Sequence, residues 1–154
     1  MMHNTSGVFN KNADVQHNKY KQPDLKKTMQ QTELAKKIIS LEIAALEKWN
    51  CGNPSGYLDI SAIDVVYFDP FTNKRLDGHD KLTELYESIR GQIHVDSYEM
   101  LNPLVQENKD MAVLTFNLIS NIGKSATKWN CTEVYRLEKN GDWKIIQTHW
   151  SFSK

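Results

Sequence analysis

The amino-acid sequence predicts an α+β fold in which three N-terminal helices pack on a strongly bent, mostly antiparallel sheet and enclose a pocket. Two observations carry this prediction. Apolar residues recur at spacings of three and four in the first third of the chain, as in amphipathic helices. The second half alternates apolar and polar residues, and Asn140-Gly141 separates two runs rich in β-branched and aromatic residues, which is typical of a hairpin.

The helices are predicted from their apolar spacing and their end signals. Thr28 and Gln31 form a capping-box pattern at the start of the first helix. Its apolar stripe comprises Leu34, Ile38, Leu41, Ala45 and Trp49. Gly52 suits the helix end, and Asn53-Pro54 starts a second helix that runs to about residue 61. The third helix carries an apolar stripe from Leu82 to Ile89 and closes at Gly91.

Five strands are predicted around and after these helices. Residues 65–69 form a short strand that Pro70 ends. Residues 94–107 form a longer strand with a bulge or bend at Pro103, and residues 111–121 form the next. The terminal hairpin pairs residues 129–137 with residues 143–152, with a tight turn at Asn140-Gly141 whose backbone φ angles are positive.

The two faces of the terminal hairpin receive different predicted roles. Regular alternation places Glu133 on one face of its strand and His149 on the same side of the returning strand, so both are expected to form the floor of the cavity. The same alternation puts Trp150 and Phe152 on the outer face. Because bulky apolar groups occupy both faces, a partner subunit is expected to cover the outer one and form a homodimer.

Composition excludes several classes of protein. The 154 residues contain 19 Lys plus Arg and 19 Asp plus Glu, so no net charge favours nucleic acid or an anionic membrane. Without an apolar run of spanning length or a secretory signal, a cytoplasmic location is expected. Residues 1–27 are polar and predict a flexible extension before a domain at 28–154, with His3 and His17 solvated. Cys51 and Cys131 are interpreted as buried thiols without a disulfide, and no metal or cofactor motif is present.

Three strings in this order resemble the nuclear transport factor two superfamily. They are ALEKWNCGNPSGYLDISAIDVVYFDP, LDGHDKLTELYESIRG and CTEVYRLEKNGDWKIIQTHWS. The resemblance runs from about Thr32 to the C-terminus and is strongest to small bacterial SnoaL-like proteins. It implies a cone-shaped fold shared with ketosteroid isomerase and with the association domain of calcium/calmodulin-dependent protein kinase II.

The resemblance to ketosteroid isomerase implies specific roles for three residues. Asp69, followed by Pro70, corresponds to the base that moves a proton next to a carbonyl. Glu133 corresponds to the protonated acid that donates to the developing oxyanion, in an enzyme that is a standard worked case of pKa tuning. Tyr86 corresponds to a tyrosine of the same polar network. The oxyanion tyrosine of the first helix falls at Ala45.

The predicted site therefore contains two acids, a histidine and several polar or aromatic side chains. The candidate catalytic residues are Asp69, Glu133 and His149, and the candidate ligand-binding residues are Tyr86, Asn117, Gln147, Tyr67 and Trp129. Such a cavity is more polar than a steroid requires and favours a cationic or hydroxyl-bearing ligand if both acids ionise. Tyr67 and Trp129 fit core packing as well, because aromatic residues supply most buried area in a small domain.

Each acid and the histidine also has an alternative interpretation. Asp before Pro commonly caps a turn, which is the stronger alternative for Asp69. Glu133 fits a buried acid satisfied by His149 or Tyr86, and His149 fits either a Glu-His pair or a neutral core histidine. The sequence predicts a small-molecule-binding pocket protein, with general acid/base catalysis of isomerase, cyclase or hydratase type as one outcome. The alternative is a non-catalytic dimerisation module of the same fold.

Overall fold

The computed structural model describes residues 31–154 of the chain. The predicted extension at 1–27 and the capping box at Thr28 lie outside the described residues. The domain boundary at residue 28 therefore stays a prediction.

Three helices lie in the described part of the chain: α1 (Glu33–Asn50), α2 (Ser55–Ile60) and α3 (His79–Ser88). The described start of α1 is at Glu33, because the Thr32 side chain accepts a hydrogen bond from Ala35 N at 3.0 Å and caps the first turn. Gly52 after α1 and Gly91 after α3 have φ angles of 79° and 76°, as expected for residues that end helices.

Within the described residues, six strands form one sheet: β1 (Ser61–Phe68), β2 (Leu76–Asp77), β3 (Ser97–Asn108), β4 (Met111–Ile122), β5 (Ser125–Leu137) and β6 (Trp143–Phe152). Their order in the sheet is β2-β1-β6-β5-β4-β3, and only the β1–β6 pair is parallel. The predicted α+β class and the meander of the last four strands are confirmed. The two-residue strand β2 was missed, because its sequence is too short to show alternation.

Two irregularities set which side chains face the helices. In β3, the pairing with β4 shifts between Leu101 and Leu104, and Asn102 has a φ angle of 50°, so the bulge expected beside Pro103 is present. In β6, Val134 pairs with Gln147 but Tyr135 pairs with Ile145. Ile146 is the extra residue of this second bulge, which the sequence did not predict.

The turn of the terminal hairpin also differs from the prediction. Gly141 has a φ angle of 89°, whereas Asn140 is not among the residues of the described chain with positive φ. The Asn140 side chain instead accepts from Asp142 N at 3.0 Å, and Glu138 N donates to Asp142 O at 2.8 Å. The connection is therefore a five-residue loop rather than a two-residue turn.

The core lies between the helices and the inner face of the sheet. Ile38, Leu82, Leu114, Tyr135 and Ile145 are almost fully buried there. Gly56 lets α2 pack directly on α1, since a Cβ at this position would stand 2.9 Å from Ala45 Cα. Among the described helices, none combines the length and apolar character needed to cross a bilayer.

Candidate functional site

A cavity of about 410 Å³ lies between the helices and the inner face of the sheet. Its wall is mostly apolar and contains seven aromatic side chains: Trp49, Tyr57, Tyr67, Phe71, Tyr86, Trp129 and Trp150. The polar groups besides the three tyrosines are Asn50, Asp69, Ser120 and Thr127. A cavity of this size and composition is typical of sites for small organic molecules.

Asp69 follows the end of β1 and uses its two carboxylate oxygens differently. Oδ1 accepts from Phe71 N at 2.9 Å and from Thr72 N at 2.7 Å, so the side chain caps the turn that Pro70 begins. Oδ2 accepts from the Tyr67 hydroxyl at 3.0 Å, on the cavity wall. Asp69 therefore both caps the turn and lines the cavity.

Tyr67 and Tyr86 pack against each other at the Asp69 end of the cavity. Their rings meet edge to face with centroids 5.6 Å apart, and Trp49 packs on Tyr86 at 4.9 Å. Burial raises the pKa of the Tyr67 hydroxyl, and the Asp69 charge raises it further. Both tyrosines consequently stay neutral donors at physiological pH.

Glu133 belongs to a buried cluster with Glu42, where both side chains have no solvent exposure. The Tyr57 hydroxyl donates to Glu42 Oε1 at 2.7 Å, and the Tyr135 hydroxyl donates to Glu133 Oε2 at 3.0 Å. Thr148 Oγ1 lies 3.4 Å from Glu133 Oε1. Tyr57 also lines the cavity, so it connects the acid cluster to the cavity wall.

The electrostatics of this cluster favour retained protons. Burial raises the pKa of Glu133 well above its ordinary value, and the neighbouring Glu42 carboxyl raises it further. Burial also raises the pKa of Glu42, although hydrogen bonds from Glu133, Tyr57 and Tyr135 lower it in part. Burial and the Glu42 carboxyl therefore both favour the protonated form of Glu133 over the ionised one.

The prediction that His149 shares the cavity face with Glu133 is wrong. Because Ile146 adds one residue to β6, Thr148 stands opposite Glu133, and His149 stands opposite Thr132 on the outer face. There His149 is exposed and packs on Phe68, with ring centroids 5.4 Å apart. A Glu133–His149 pair is therefore excluded by geometry.

The same bulge reverses the predicted places of Trp150 and Phe152. Trp150 stands opposite Cys131 on the inner face and lines the cavity. Phe152 stands opposite Trp129, and its ring centroid lies 4.8 Å from that of Trp129. The predicted subunit contact through Trp150 and Phe152 is therefore wrong in its residues.

Two predicted ligand-binding residues also face away from the cavity. Asn117 is exposed and donates to Asn130 Oδ1 at 2.8 Å on the outer face of the sheet. Gln147 stands opposite Val134 on that same face. Asp69, Tyr67, Tyr86 and Trp129 are the predicted site residues that do line the cavity, whereas Glu133 lies behind its wall.

These placements correct the predicted character of the cavity. Gln147, His149 and Asn117 supplied most of its expected polarity, and all three face outward. The raised pKa of Glu133 also disfavours the second ionised acid that this prediction assumed. Among residues 31–154, the wall carries one carboxylate, Asp69, and no Lys, Arg or His, so it suits an apolar ligand with few polar groups.

Sequence reasoning missed three residues of this region. Glu42 falls four residues after Ile38 and three before Ala45, so its place in the apolar stripe of α1 was a readable signal of burial. Tyr57 and Asn50 were not among the predicted site residues. Nothing in its immediate sequence distinguishes Asn50 from an ordinary helix-ending residue.

The cysteines divide between surface and core. Cys51 is exposed, so its predicted burial is wrong, and Cys131 is buried as expected. Burial raises the pKa of the Cys131 thiol well above its ordinary value. Within residues 31–154, no group of three or more His, Cys, Asp or Glu side chains is placed to hold a metal ion.

The fold is that of a known family of small α+β domains. Residues 44–153 match the SnoaL-like domain, and the chain belongs to this family. A candidate ketosteroid isomerase from Parabacteroides distasonis is similar at 41% identity and a TM-score of 0.73, covering 83% of this chain and 93% of that one. No curated protein matches the sequence.

More distant structures show the same fold. A nuclear transport factor 2-like protein of unknown function from Pseudomonas putida is 22% identical with a TM-score of 0.70, over 79% of this chain and 87% of that one. The hub of calcium/calmodulin-dependent protein kinase II from S. rosetta is 16% identical with a TM-score of 0.66, over 80% of this chain and 99% of that one. The predicted resemblance to this superfamily is confirmed.

Proposed function

We propose that the cavity binds a largely apolar, ring-containing small molecule and that Asp69 acts on it as a general base. The observation that carries the proposal is the cavity of about 410 Å³, with aromatic side chains around a single carboxylate. A base on an otherwise apolar wall suits the removal of a proton next to a carbonyl group. The isomerase type of reaction is thus favoured over the cyclase and hydratase types.

The geometry around Asp69 supports this role. Its Oδ1 is occupied by two backbone N–H groups, which fix the carboxylate in position. Its Oδ2 has one donor, the Tyr67 hydroxyl, and an oxygen in that environment retains capacity to accept a substrate proton. Tyr67 and Tyr86 serve as orienting groups.

Tyr57 supplies a second phenol to the cavity wall. The first-helix tyrosine of the isomerase resemblance is absent at Ala45, and Tyr57 of α2, whose Gly56 packs on Ala45, lines the cavity. Its hydroxyl proton goes to Glu42 Oε1, so a hydrogen bond from Tyr57 to an enolate oxygen requires that Glu42 is protonated and donates to Tyr57.

The candidate ketosteroid isomerase from Parabacteroides distasonis suggests the substrate for a test. Conversion of a β,γ-unsaturated ketosteroid to its conjugated isomer can be followed by ultraviolet absorbance. We expect turnover by the wild-type protein and a loss of at least about a hundredfold in Asp69→Asn, because a positioned general base contributes roughly 10²–10⁴. The asparagine retains the Oδ1 acceptor, so the turn is expected to survive.

Asp77→Asn is the matched control for that assay. Asp77 is an exposed aspartate paired with Arg75 at 2.6 Å, away from the cavity wall. Its replacement is expected to leave turnover unchanged. Absence of wild-type turnover, or equal rates in wild type and Asp69→Asn, would contradict the catalytic part of the proposal.

A second candidate function is association through the outer face of the sheet. That face presents Val113 and Val134, which stand opposite each other, and the exposed Phe68 beside His149. These apolar side chains are at least partly exposed on the described chain. We propose a homodimer through this surface, compatible with ligand binding on the inner face.

A further inference from the structure

Three exposed apolar side chains stand at the mouth of the cavity. Phe71 is 73% exposed and Ile122 is 54% exposed, yet both belong to the cavity wall. Side chains that line a cavity and also meet solvent lie where the cavity opens. Phe152 is 51% exposed and packs on Phe71 with ring centroids 5.6 Å apart. Phe71, Ile122 and Phe152 are referred to as the apolar rim.

The rim is continuous with the cavity wall and with the proposed base. Phe71 N donates to Asp69 Oδ1 at 2.9 Å, so the backbone of Phe71 is held by the turn that Asp69 caps. The Phe71 ring meets the ring of Trp129 at a centroid distance of 6.2 Å, and Trp129 packs on Phe152 at 4.8 Å. Trp129 itself lines the cavity. The exposed rings therefore extend the aromatic wall outward.

This exposure is a feature that binding explains. Seven large apolar side chains are exposed in residues 31–154, and three of them form the rim. Contiguous exposed apolar groups mark interaction sites. A ligand pocket encloses about 70–90% of the surface of its ligand, so a part of the ligand remains outside. Because the rim adjoins the cavity wall, that outer part of the ligand is the occupant that it suits.

We infer that the apolar rim extends the binding site beyond the cavity, and that the ligand is an elongated polycyclic molecule whose outer part packs on Phe71. This inference rests on the proposed function and deepens it, because it names the size and shape of the ligand. Phe71 selects long ligands over short ones in this account, and Asp69 performs the chemistry.

The test compares a four-ring ketone, androst-4-ene-3,17-dione, with a two-ring ketone, 2-acetylnaphthalene. Binding of each to wild type and Phe71→Ala is measured by calorimetric titration. We expect Phe71→Ala to bind the steroid at least about tenfold more weakly, because burial of a phenylalanine side chain contributes more than that factor. The two-ring ketone should lose less than about threefold, because it does not reach the rim.

Ile63→Ala is the matched control. Ile63 is 77% exposed and lies outside the cavity wall, so both affinities should equal those of wild type. The melting temperature of unliganded Phe71→Ala should stay within a few degrees of wild type, because the ring is largely exposed. Phe71→Leu restores apolar surface at the rim and should recover part of the steroid affinity.

The outcomes separate this inference from the proposed function. If Phe71→Ala weakens the two ketones equally or weakens neither, the role of the rim is overturned while the cavity site stands. If wild type binds only the two-ring ketone, the rim is likewise overturned. If wild type binds neither, the proposed function fails and takes this inference with it. If Phe71→Ala loses a dimer in light scattering but keeps its steroid affinity, the rim contacts a second copy of the chain instead.

Discussion

At the scale of single residues, the least expected feature is the pair of buried carboxyls, Glu42 and Glu133. Burying two acids is tolerated because Tyr57, Tyr135 and Thr148 supply hydrogen bonds and because the pair retains a proton. The sequence indicated Glu133 only through a family resemblance. Glu42 was visible in the helical pattern, yet an acid in an apolar stripe is ordinarily assigned to the edge of that stripe.

The acid pair makes stability depend on pH. Burial raises the pKa of Glu133 well above about 4.5. The folded protein then holds a proton that the unfolded chain releases, so this contribution is complete below the unfolded pKa and is lost as pH rises through the folded pKa. The free energy of unfolding should therefore fall as pH rises above the ordinary carboxyl pKa, by at most about 1.4 kcal/mol per pH unit for each such group.

Glu133→Gln should flatten this pH dependence, because one titrating group is removed. Urea unfolding at about pH 5 and about pH 8 measures the change in each protein. Glu99→Gln, at an exposed position of β3, is the control and should retain the wild-type dependence. Equal pH dependence in wild type and Glu133→Gln would show that Glu133 is ionised in the folded state.

At the scale of elements, the bulge at Ile146 in β6 determines the composition of the site. Strand identities and approximate bounds were predictable from alternation and turn residues, as the confirmed meander shows. The extra residue Ile146 was not predictable, because a bulge has no fixed sequence signature. It nevertheless reverses the face of the sheet to which each later side chain of β6 points. The wrong placements of His149, Trp150 and Phe152 all follow from this single residue.

Deletion of Ile146 tests that interpretation. Without the extra residue, Ile145 stays opposite Tyr135 and Gln147 opposite Val134, so Thr148 and Trp150 keep their inward places. We expect a variant that unfolds cooperatively within several degrees of wild type, because the pairing becomes regular and no side chain changes face. Thermal unfolding followed by circular dichroism measures this.

Deletion of Thr148 is the matched control. Removing this paired residue beyond the bulge would bring His149 opposite Glu133 and turn Trp150 outward, so a loss of several kcal/mol or of cooperative unfolding is expected. Equal losses in the two deletion variants would contradict the role of Ile146 as the extra residue.

At the scale of the whole molecule, the inner and outer faces of the sheet carry different groups of side chains. The inner face holds the cavity, and the outer face carries Val113, Val134 and Phe68. The sequence predicts a partner over the outer face from bulky groups on both sides of the hairpin, and this stays a prediction. Which residues lie on that face was not predictable, since it depends on the bulge.

The proposed homodimer can be separated from ligand binding by one substitution. Val134→Lys places a charge at the centre of the outer face and should convert a dimer into a monomer in light-scattering measurements at about 100 μM. Ser125→Lys, at the exposed start of β5, should leave the dimer intact. A monomeric wild-type protein, or a dimeric Val134→Lys variant, would refute association through this face.

The central claim is that the inner cavity is the binding site for an apolar, ring-containing ligand. The most direct measurement is calorimetric titration of a conjugated ketosteroid, which is not turned over, into wild type and Val95→Phe. Val95 lines the cavity, so a phenylalanine at this position occupies part of the cavity volume. Val113→Phe is the control, because it makes the same change on the outer face. We expect wild type and Val113→Phe to bind the ketosteroid with micromolar affinity, about −8 kcal/mol. Binding to Val95→Phe should be at least about tenfold weaker. Absence of binding to wild type, or equal affinity in all three proteins, would contradict it.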